Sequence, residues 1–347
     1  MKAAVIKEYG TISLQEVKKP ELPEGNVLVR VKYASICGSD QHIFAGEFHP
    51  RTRLPLIPGH EFAGVVEETG RLVTKFKPGN KVTVDPIIWC GKCIACQEQH
   101  YPACISLRIV GIDLDGGFAE YVSVPESMVY RVPDHISDEY AALLEIISIG
   151  FHASARAGLK KEDDILIVGS GKVGQAILHA AKTITSGKVF IADILNQRLD
   201  LAKSAFPDVY PVNIMDTDPV KFIKDVTGGK GVDIAFEAVG HEVNVEGRHN
   251  PVRTAINAIK GGGKVCALGL SDHPSPILMK ELIWKEAEII ASRVTHGEFS
   301  TAIEAIASGK LDPGKMITSV LDLKDAQKGF EILEKDPASQ LKILLKI

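Results

Sequence analysis

The sequence lacks an excess of charge of either sign. Its 347 residues include 40 basic and 44 acidic side chains, which gives a formal net charge of −4. Proteins that bind nucleic acids by neutralising phosphates usually carry a basic excess. The composition therefore disfavours a nucleic-acid-binding function.

Long apolar runs are also absent. No uncharged stretch reaches the roughly 18 apolar residues that a membrane-spanning helix needs. The N-terminal apolar run, Ala3–Ile6, ends at Lys7 and is too short for a secretory signal peptide. With 45% hydrophobic and 24% charged residues, the composition is that of a globular protein. We expect a cytoplasmic protein with no membrane partner.

Cysteine is scarce but concentrated. Four of the six cysteines lie within the fifteen residues from Cys90 to Cys104. In a reducing compartment, clustered cysteines indicate metal binding or catalysis rather than disulfides. Of the other two, Cys266 lies in an apolar strand-like run, which favours a core position, and Cys37 follows a predicted strand.

The chain changes character near residue 138, and its length is that of two domains. Before this point, short alternating runs such as Asn26–Lys32, punctuated by glycine and proline, favour a β-rich barrel or sandwich. Asp138–Ala155 is apolar and predicts a helix. From Asp164 onward strand-like and helix-like runs alternate, which predicts βαβ units around a parallel sheet. The strand-like runs there are Ile165–Val168, Val189–Ala192, Asp233–Phe236, Lys264–Leu268 and Glu288–Ala291.

A dinucleotide-binding fingerprint follows the strand-like run Ile165–Val168. The residues Gly169, Gly171, Val173 and Gly174 belong to a G-x-G-x-x-G motif that opens a helix-like run. Its glycines permit a tight turn, close approach to a pyrophosphate, and helix–strand packing. Asp193 ends the next strand-like run, where an acid would bind the ribose hydroxyls of NAD and repel the 2′-phosphate of NADP. A strand-end turn is the other interpretation of Asp193.

The four clustered cysteines, Cys90, Cys93, Cys96 and Cys104, have spacing that suits a closed tetrahedral zinc site. Four protein ligands leave no open position, so this zinc would be structural. An iron–sulfur cluster also uses thiolates and is the competing interpretation, although nothing else in the chain indicates electron transfer.

A second candidate set consists of Cys37, His60 and Glu61. A thiolate, an imidazole and a carboxylate form a plausible open zinc site, but composition alone does not join residues so far apart in sequence. Gly64 stands where an H-E-x-x-H metalloprotease would need its second histidine, so that class is disfavoured. Glu145 lies in an apolar run and is either solvent-facing or buried beside a cation.

In combination, these motifs resemble the zinc-containing medium-chain alcohol and polyol dehydrogenases. Four segments carry the resemblance in the family's order: Cys37–Asp40, Gly59–Val73, Asp115–Tyr121 and Gly169–Gly174, with the cysteine cluster among them. The resemblance covers essentially the whole chain. It implies an α/β protein in which a GroES-like β-rich catalytic domain, residues 1–146 and 291–347, is interrupted by a doubly wound Rossmann NAD-binding domain, residues 147–290, with the active site in the cleft.

The resemblance also implies roles for the metal-site residues. Cys37, His60 and Glu61 would bind a catalytic zinc, and Glu145 stands where the polyol and threonine branches carry a glutamate that reaches the metal. Those branches usually follow it with proline, whereas this chain has Ile146. One structural and one catalytic zinc per chain would result, with NAD preferred over NADP.

The remaining predicted residues surround the reaction. The hydroxyl proton would leave through Ser39 or a zinc-bound water and then pass to His42, and Asp40 would orient a metal ligand. His42 is alternatively an ordinary loop histidine. The predicted cofactor-binding set is completed by Arg198, Leu268 and Arg293; Arg198 and Arg293 also fit a solvated position and a structural ion pair, respectively.

The substrate class rests on the same resemblance. Cys37–Asp40 with Glu145 favours the polyol, sugar and sugar-acid branches, and Ala291–Arg293 is similar to a segment of the sugar-acid group. L-Threonine or a butanediol is the alternative substrate, and an NAD-binding relative without catalysis is a remote one. A homodimer or homotetramer is implied, with strand pairing between cofactor domains.

Overall fold

A computed structural model describes residues 1–240 and 245–347 of the chain. Its strands are β1 Lys2–Glu8, β2 Thr11–Glu16, β3 Asn26–Ile36, β4 Glu61–Thr69, β5 Lys81–Val84, β6 Ile87–Ile88, β7 Arg108–Ile109, β8 Tyr121–Pro125, β9 Val129–Arg131, β10 Ile165–Val168, β11 Val189–Asp193, β12 Tyr210–Asn213, β13 Val232–Glu237, β14 Ile259–Ala267, β15 Glu288–Ala291, β16 Ile317–Asp322 and β17 Lys342–Lys346. Its helices are α1 Gly38–Ala45, α2 Ile94–Gln97, α3 Asp138–Ala141, α4 Leu144–Ala157, α5 Lys172–Lys182, α6 Asn196–Ala205, α7 Pro219–Val226, α8 Pro251–Ala258, α9 Met279–Ile283, α10 Phe299–Ala307 and α11 Ala326–Lys335.

The chain divides into two compact units. Unit 1 contains Met1–Glu145 and Thr295–Ile347, and unit 2 contains Ile146–Val294. Unit 1 is therefore built from two separate stretches of chain. The domain limits predicted from the sequence, 146/147 and 290/291, differ from these by one and four residues.

Unit 2 is a six-stranded parallel sheet. Its strand order is β12-β11-β10-β13-β14-β15, and every neighbouring pair is parallel. This is the doubly wound order, in which the chain reverses its direction of winding between the first strand, β10, and the fourth, β13. Ligands of such sheets bind at the carboxyl ends of the strands, at this switch point.

Apolar layers cover both faces of that sheet. Ile165 and Ile167 of β10 belong to one buried cluster, and Leu166 and Val168 belong to another. Because neighbouring side chains of a strand point to opposite faces, an uninterrupted apolar strand is the expected sequence of a doubly covered parallel sheet.

Unit 1 is dominated by a seven-stranded sheet. Its order is β16-β17-β3-β4-β5-β9, with β8 also paired to β3. The pairing is antiparallel except between β16 and β17. Phe62, Phe118 and Phe330 are completely or almost completely buried in its core. The long central strand β3 thus lies between β17 and β4, and both of these carry residues of the candidate site.

The predicted helix Asp138–Ala155 is divided in the structure. Ala142 still donates its N–H to Asp138 O at 3.1 Å, four residues back, but Leu143 donates to Tyr140 O at 3.1 Å, only three residues back. This tighter turn ends α3 before α4 begins. Among residues 1–240 and 245–347, the helices are too short or too polar to cross a bilayer.

Candidate active site

The structure brings Cys37, His60 and Glu61 together in unit 1. Their ligand atoms all lie within 4.8 Å of one another. Cys37 precedes the first turn of α1, and Glu61 is the first residue of β4. Two elements far apart in sequence therefore deliver a thiolate, an imidazole and a carboxylate to one point.

Asp40 ties the backbone at Cys37 to the backbone just before His60. It is completely buried. Its Oδ2 accepts the backbone N–H of Cys37 at 2.8 Å, and its Oδ1 accepts that of Gly59 at 3.3 Å. Oδ1 also lies 3.7 Å from Nδ1 of His60. At this distance the contact is electrostatic rather than a hydrogen bond, and it leaves the other ring nitrogen, Nε2, as the one available to a metal ion.

Lys342 is a member of this site that the motifs did not reveal. It is the first residue of β17, and its Nζ lies 2.5 Å and 2.6 Å from the two carboxylate oxygens of Glu61. Both side chains are completely buried. A lysine within the otherwise apolar run Leu341–Leu345 was the available signal, since lysine is rarely buried unless paired.

Nearby charges counteract the effect of burial on the pKa values of Cys37 and Glu61. Burial raises the pKa of the Cys37 thiol, as does Glu61, but Lys342 and His60 outweigh them and lower it. Burial likewise raises the pKa of Glu61, and Lys342 reverses that effect. The protein thus favours the thiolate and carboxylate forms, which are the forms that bind a metal ion.

Glu145 is buried near these residues but outside the compact set. Burial raises its pKa to about 8, with the charges of His60 and Glu61 acting in opposite directions. Its Oε2 has no hydrogen-bond partner. A bound cation would compensate such a group.

The four clustered cysteines also converge. Their sulfur atoms lie within 4.8 Å of one another, with Sγ–Sγ distances of 3.9 Å for Cys90–Cys96 and 3.5 Å for Cys93–Cys96. Four thiolates about 2.3 Å from a tetrahedral zinc would lie about 3.8 Å apart. Backbone N–H groups of Ile105 and Cys96 lower the pKa of Cys93 to about 6. The segment of residues 90–104 that carries them, called the cysteine lobe below, therefore fits a closed zinc site.

The glycine fingerprint has the geometry of a pyrophosphate cradle. At Gly174 a Cβ would lie 1.8 Å from Gly169 O, so only glycine permits this helix–strand contact. At Gly171 a Cβ would meet only Arg198 Nη1, at 3.6 Å. The protein itself therefore leaves room beside Gly171 at the first turn of α5, where a phosphate would bind the helix N–H groups.

Asp193 is anchored to this fingerprint. Its Oδ2 accepts the N–H of Ser170 at 2.7 Å and lies 3.8 Å from Nη1 of Arg198, and its Oδ1 accepts the N–H of Leu195 at 3.0 Å. The carboxylate thus stands beside the candidate phosphate site. Val173 is half-buried in the first turn of α5, and Leu268 directly follows β14.

The remaining predicted residues occupy less enclosed positions. Ser39 Oγ lies 3.5 Å from His60 Nε2, next to the metal-ligand set. His42 is exposed, hydrogen-bonded to Glu47 and stacked on Phe48. Arg293 is exposed just beyond β15. The structure thus concentrates the metal ligands and the fingerprint but leaves His42 and Arg293 at the surface of their own units.

Comparison with known proteins agrees with this geometry. Residues 23–134 match the model of the alcohol dehydrogenase GroES-like domain, and residues 173–308 match that of zinc-binding dehydrogenases. A sorbitol dehydrogenase of Bacillus subtilis is 32% identical over 337 residues, covering 95% of this chain and 93% of the relative. An L-idonate 5-dehydrogenase of Vitis vinifera is 31% identical, covering 95% and 90%.

A solved structure extends the similarity to three dimensions. The rspB alcohol dehydrogenase of Escherichia coli CFT073, crystallised with NADH, superposes with a TM-score of 0.90 at 28% identity, covering 100% of this chain and 99% of that one. The predicted fold class, a GroES-like domain with a Rossmann domain, is thereby confirmed. The chain belongs to the zinc-type medium-chain alcohol and polyol dehydrogenases and is an oxidoreductase acting on CH–OH groups.

Proposed function

We propose that this protein transfers a hydride between a secondary alcohol of a polyol, sugar or sugar acid and NAD, with a zinc ion held by Cys37, His60 and Glu61. The observation that carries the proposal is the convergence of these three ligand atoms within 4.8 Å in unit 1. Three protein ligands leave one position of a tetrahedral zinc for the substrate, which is the arrangement of catalytic sites.

The charges of the ligands suit this metal. A Cys37 thiolate and a Glu61 carboxylate together balance the charge of Zn²⁺. Lys342, paired with Glu61, partly neutralises that carboxylate. When bound, zinc supplies Lewis-acid polarisation of the alcohol oxygen and favours loss of its proton. Ser39, beside His60 Nε2, would relay that proton: its oxygen would take the proton up while the hydroxyl gives its own proton onward to His42, which is hydrogen-bonded to Glu47. Asp40 keeps His60 oriented while the proton moves.

Glu145 is the proposed fourth residue of the catalytic centre. Its unpartnered Oε2 and full burial support a position from which a carboxylate approaches the metal. Isoleucine at position 146 does not interrupt the helix, because α4 runs from Leu144 to Ala157. The helix therefore carries Glu145 without the proline usual in the resembling branches.

NAD preference rests on Asp193. Its carboxylate is nearly buried and beside the fingerprint, so a 2′-phosphate would meet a negative charge there. Arg198 lies 3.8 Å from the same oxygen and is partly neutralised by it. NAD is the expected cofactor, with Gly169, Gly171, Val173, Gly174, Leu268 and Arg293 completing its site.

Two further parts of the proposal concern structure and assembly. Cys90, Cys93, Cys96 and Cys104 would hold a second, structural zinc, which requires reduced thiols and so favours the cytoplasm. The chain would assemble as a homodimer or homotetramer by pairing of β15, an edge strand of the parallel sheet. The exposed Ile289 within β15, and the exposed Ile283 and Trp284 shortly before it in sequence, support such an interface.

The test is a substrate panel assayed with NAD and with NADP. The purified protein is incubated with sorbitol, related polyols, sugar acids, L-threonine and a 2,3-butanediol, and reduced cofactor is followed by absorbance. The proposal expects the highest kcat/KM with a polyol or sugar acid and NAD. Highest activity with threonine or butanediol would contradict the substrate class, and preference for NADP would contradict the role of Asp193.

A further inference from the structure

Glu237 occupies an unusual position at the carboxyl end of the parallel sheet. It is the last residue of β13 and only 3% exposed. Its side chain turns back onto its own loop, where Oε1 accepts the backbone N–H of Val239 at 2.8 Å and that of Gly240 at 3.2 Å. One carboxylate oxygen therefore sets the path of the chain that leaves β13.

The backbone of Glu237 sets the path of the neighbouring loop. Its carbonyl oxygen accepts the N–H of Leu268 at 2.9 Å and that of Gly269 at 3.1 Å, the two residues that follow β14. One residue thus makes four hydrogen bonds to two loops. Such a residue fixes the position of each loop relative to the other.

The two loops also touch directly. A Cβ at Gly269 would lie 2.2 Å from Gly240 N and 2.6 Å from Oε2 of Glu237. The second carboxylate oxygen therefore faces the loop after β14, and the contact between the loops leaves no room for a side chain. A small displacement of either loop would be transmitted to the other.

These loops lie on one side of the fingerprint. In the sheet, β10 separates β11, which carries Asp193, from β13. A dinucleotide with its pyrophosphate at Gly169–Gly174 and its adenosine ribose at Asp193 must extend its other half over the ends of β13 and β14. The loop after β13 already borders the fingerprint, because Ala238 donates its N–H to Val168 O at 2.9 Å.

We propose that Glu237 is a positioning residue for the nicotinamide half of the cofactor, acting through the loops 238–240 and 268–270 without touching the cofactor itself. The inference rests on the proposed NAD function. Glu237→Ala removes the side chain beyond Cβ, which leaves the N–H groups of Val239 and Gly240 without their acceptor and removes the carboxylate from the contact between the two loops. Glutamine keeps an oxygen at the same place and should preserve the arrangement.

The experiment compares two ligands that occupy different parts of the site. Wild type, Glu237→Ala and Glu237→Gln are titrated with NADH by fluorescence and with AMP by calorimetry, and the thermal midpoint of each protein is recorded. We expect Glu237→Ala to weaken NADH binding about tenfold, a typical consequence of orphaned hydrogen-bonding groups. AMP, which reaches only the Asp193 side, should bind within about twofold of wild type, and Glu237→Gln should resemble wild type for both ligands.

A second variant covers a failure of Glu237→Ala to fold. Gly269→Ala keeps the Glu237 carboxylate but inserts a methyl group where the loops touch, against Gly240 N and Oε2 of Glu237. It should therefore show the same selective loss of NADH affinity. Gly261→Ala, in the same strand region with no atom within 4 Å of its Cβ, is the matched control.

The outcomes separate the inference from the proposed function. Equal weakening of NADH and AMP, or unchanged NADH affinity in Glu237→Ala and Gly269→Ala, would overturn the positioning role. Failure of the wild-type protein to bind NADH at all would instead overturn the proposed cofactor, and with it the basis of the inference.

Discussion

Lys342 shows how a single buried charge governs the candidate metal centre. It is the cation closest to Glu61, and both side chains are completely removed from water. A buried ion pair contributes little net stability compared with apolar residues, but loss of one partner leaves an uncompensated charge in a poorly solvated place. The pair therefore matters most for the state in which no metal neutralises Glu61.

Lys342→Met should destabilise the chelator-treated protein by about 3–5 kcal/mol, the usual effect of breaking a buried pair. Urea unfolding measures the change. The double variant Lys342→Met/Glu61→Gln should regain much of it, because the amide carries no charge. Lys342→Arg retains the charge and serves as the control. Equal stability of Lys342→Met and the parent would show that Glu61 is not held by this lysine.

Asp85 is a second buried titratable group, and it lies outside the two sets of candidate metal ligands. Burial raises its pKa to about 7, well above the usual range of an aspartate, despite hydrogen bonds from the Ile87 N–H and the Thr295 hydroxyl. An acid with a raised pKa in the folded state stabilises the fold below its unfolded pKa. That stability is lost as the pH rises from about 4 to about 7.

Asp85→Asn should remove this pH dependence. The difference in unfolding free energy between variant and parent is expected to move in favour of the variant between pH 5 and pH 8, by about 3 kcal/mol, because the parent loses about 1.4 kcal/mol for each pH unit up to its pKa of about 7. Urea unfolding of both proteins at each pH gives the result, and comparison at the same pH cancels other titrations. A constant difference would show that Asp85 does not carry the raised pKa.

Motifs revealed some residues of the site and not others, for a physical reason. Cys37, His60 and Glu61 could be found from the sequence because cysteine, histidine and glutamate are common zinc ligands and lie in the recognisable segments Cys37–Asp40 and Gly59–Val73. Lys342 has no motif, since its partner lies 281 residues away and only the folded sheet brings them together. Glu237 was missed because a glutamate at a strand end has many ordinary explanations.

Elements were predicted best where apolar runs were continuous. β10 and β15 have the predicted bounds, Ile165–Val168 and Glu288–Ala291. β12 was missed because Pro211 interrupts its pattern; as an edge strand paired only with β11, it tolerates a residue without an N–H. α7 was missed although Asp218 caps it and Pro219 opens it, a recognisable helix start.

The cysteine lobe is the element whose stability should depend most on metal. Apart from the single turn of α2 and the 3₁₀ turn Tyr101–Ala103, its described residues have little regular structure between β6 and β7. A closed zinc would therefore supply much of its cohesion.

Cys96→Ala should lower zinc content by one ion per chain and reduce the thermal midpoint, because a structural zinc contributes directly to folding. Mass spectrometry of the metal and a thermal melt test this. Cys266→Ala, a buried cysteine outside both clusters, controls for loss of a thiol. Unchanged zinc content in Cys96→Ala would refute the structural site, and iron in place of zinc would favour the cluster interpretation.

For the molecule as a whole, the edge strand β15 is the proposed surface of assembly. Within residues 1–240 and 245–347, β15 pairs with β14 alone, and Ile283 and Trp284, which precede it in sequence, are 70% and 78% exposed. An unpaired edge with adjacent apolar side chains is a common site of association.

Ile283→Glu should therefore shift the protein toward smaller species in sedimentation velocity, because a charge would be buried between copies. Leu72→Glu, an exposed leucine in unit 1, should leave the distribution unchanged. A monomeric parent, or equal behaviour of the two variants, would remove this surface from the proposed assembly.

Zinc content and turnover measured together on Cys37→Ala test whether Cys37 holds a catalytic zinc. We expect loss of one zinc per chain, retention of the zinc at the four-cysteine lobe, a preserved thermal transition, and NADH formation lowered by at least about a thousandfold, since the ion that polarises the alcohol is gone. Cys266→Ala should keep full activity. A Cys37→Ala protein that retains both zinc ions, or that still oxidises the parent's best substrate, would contradict the account.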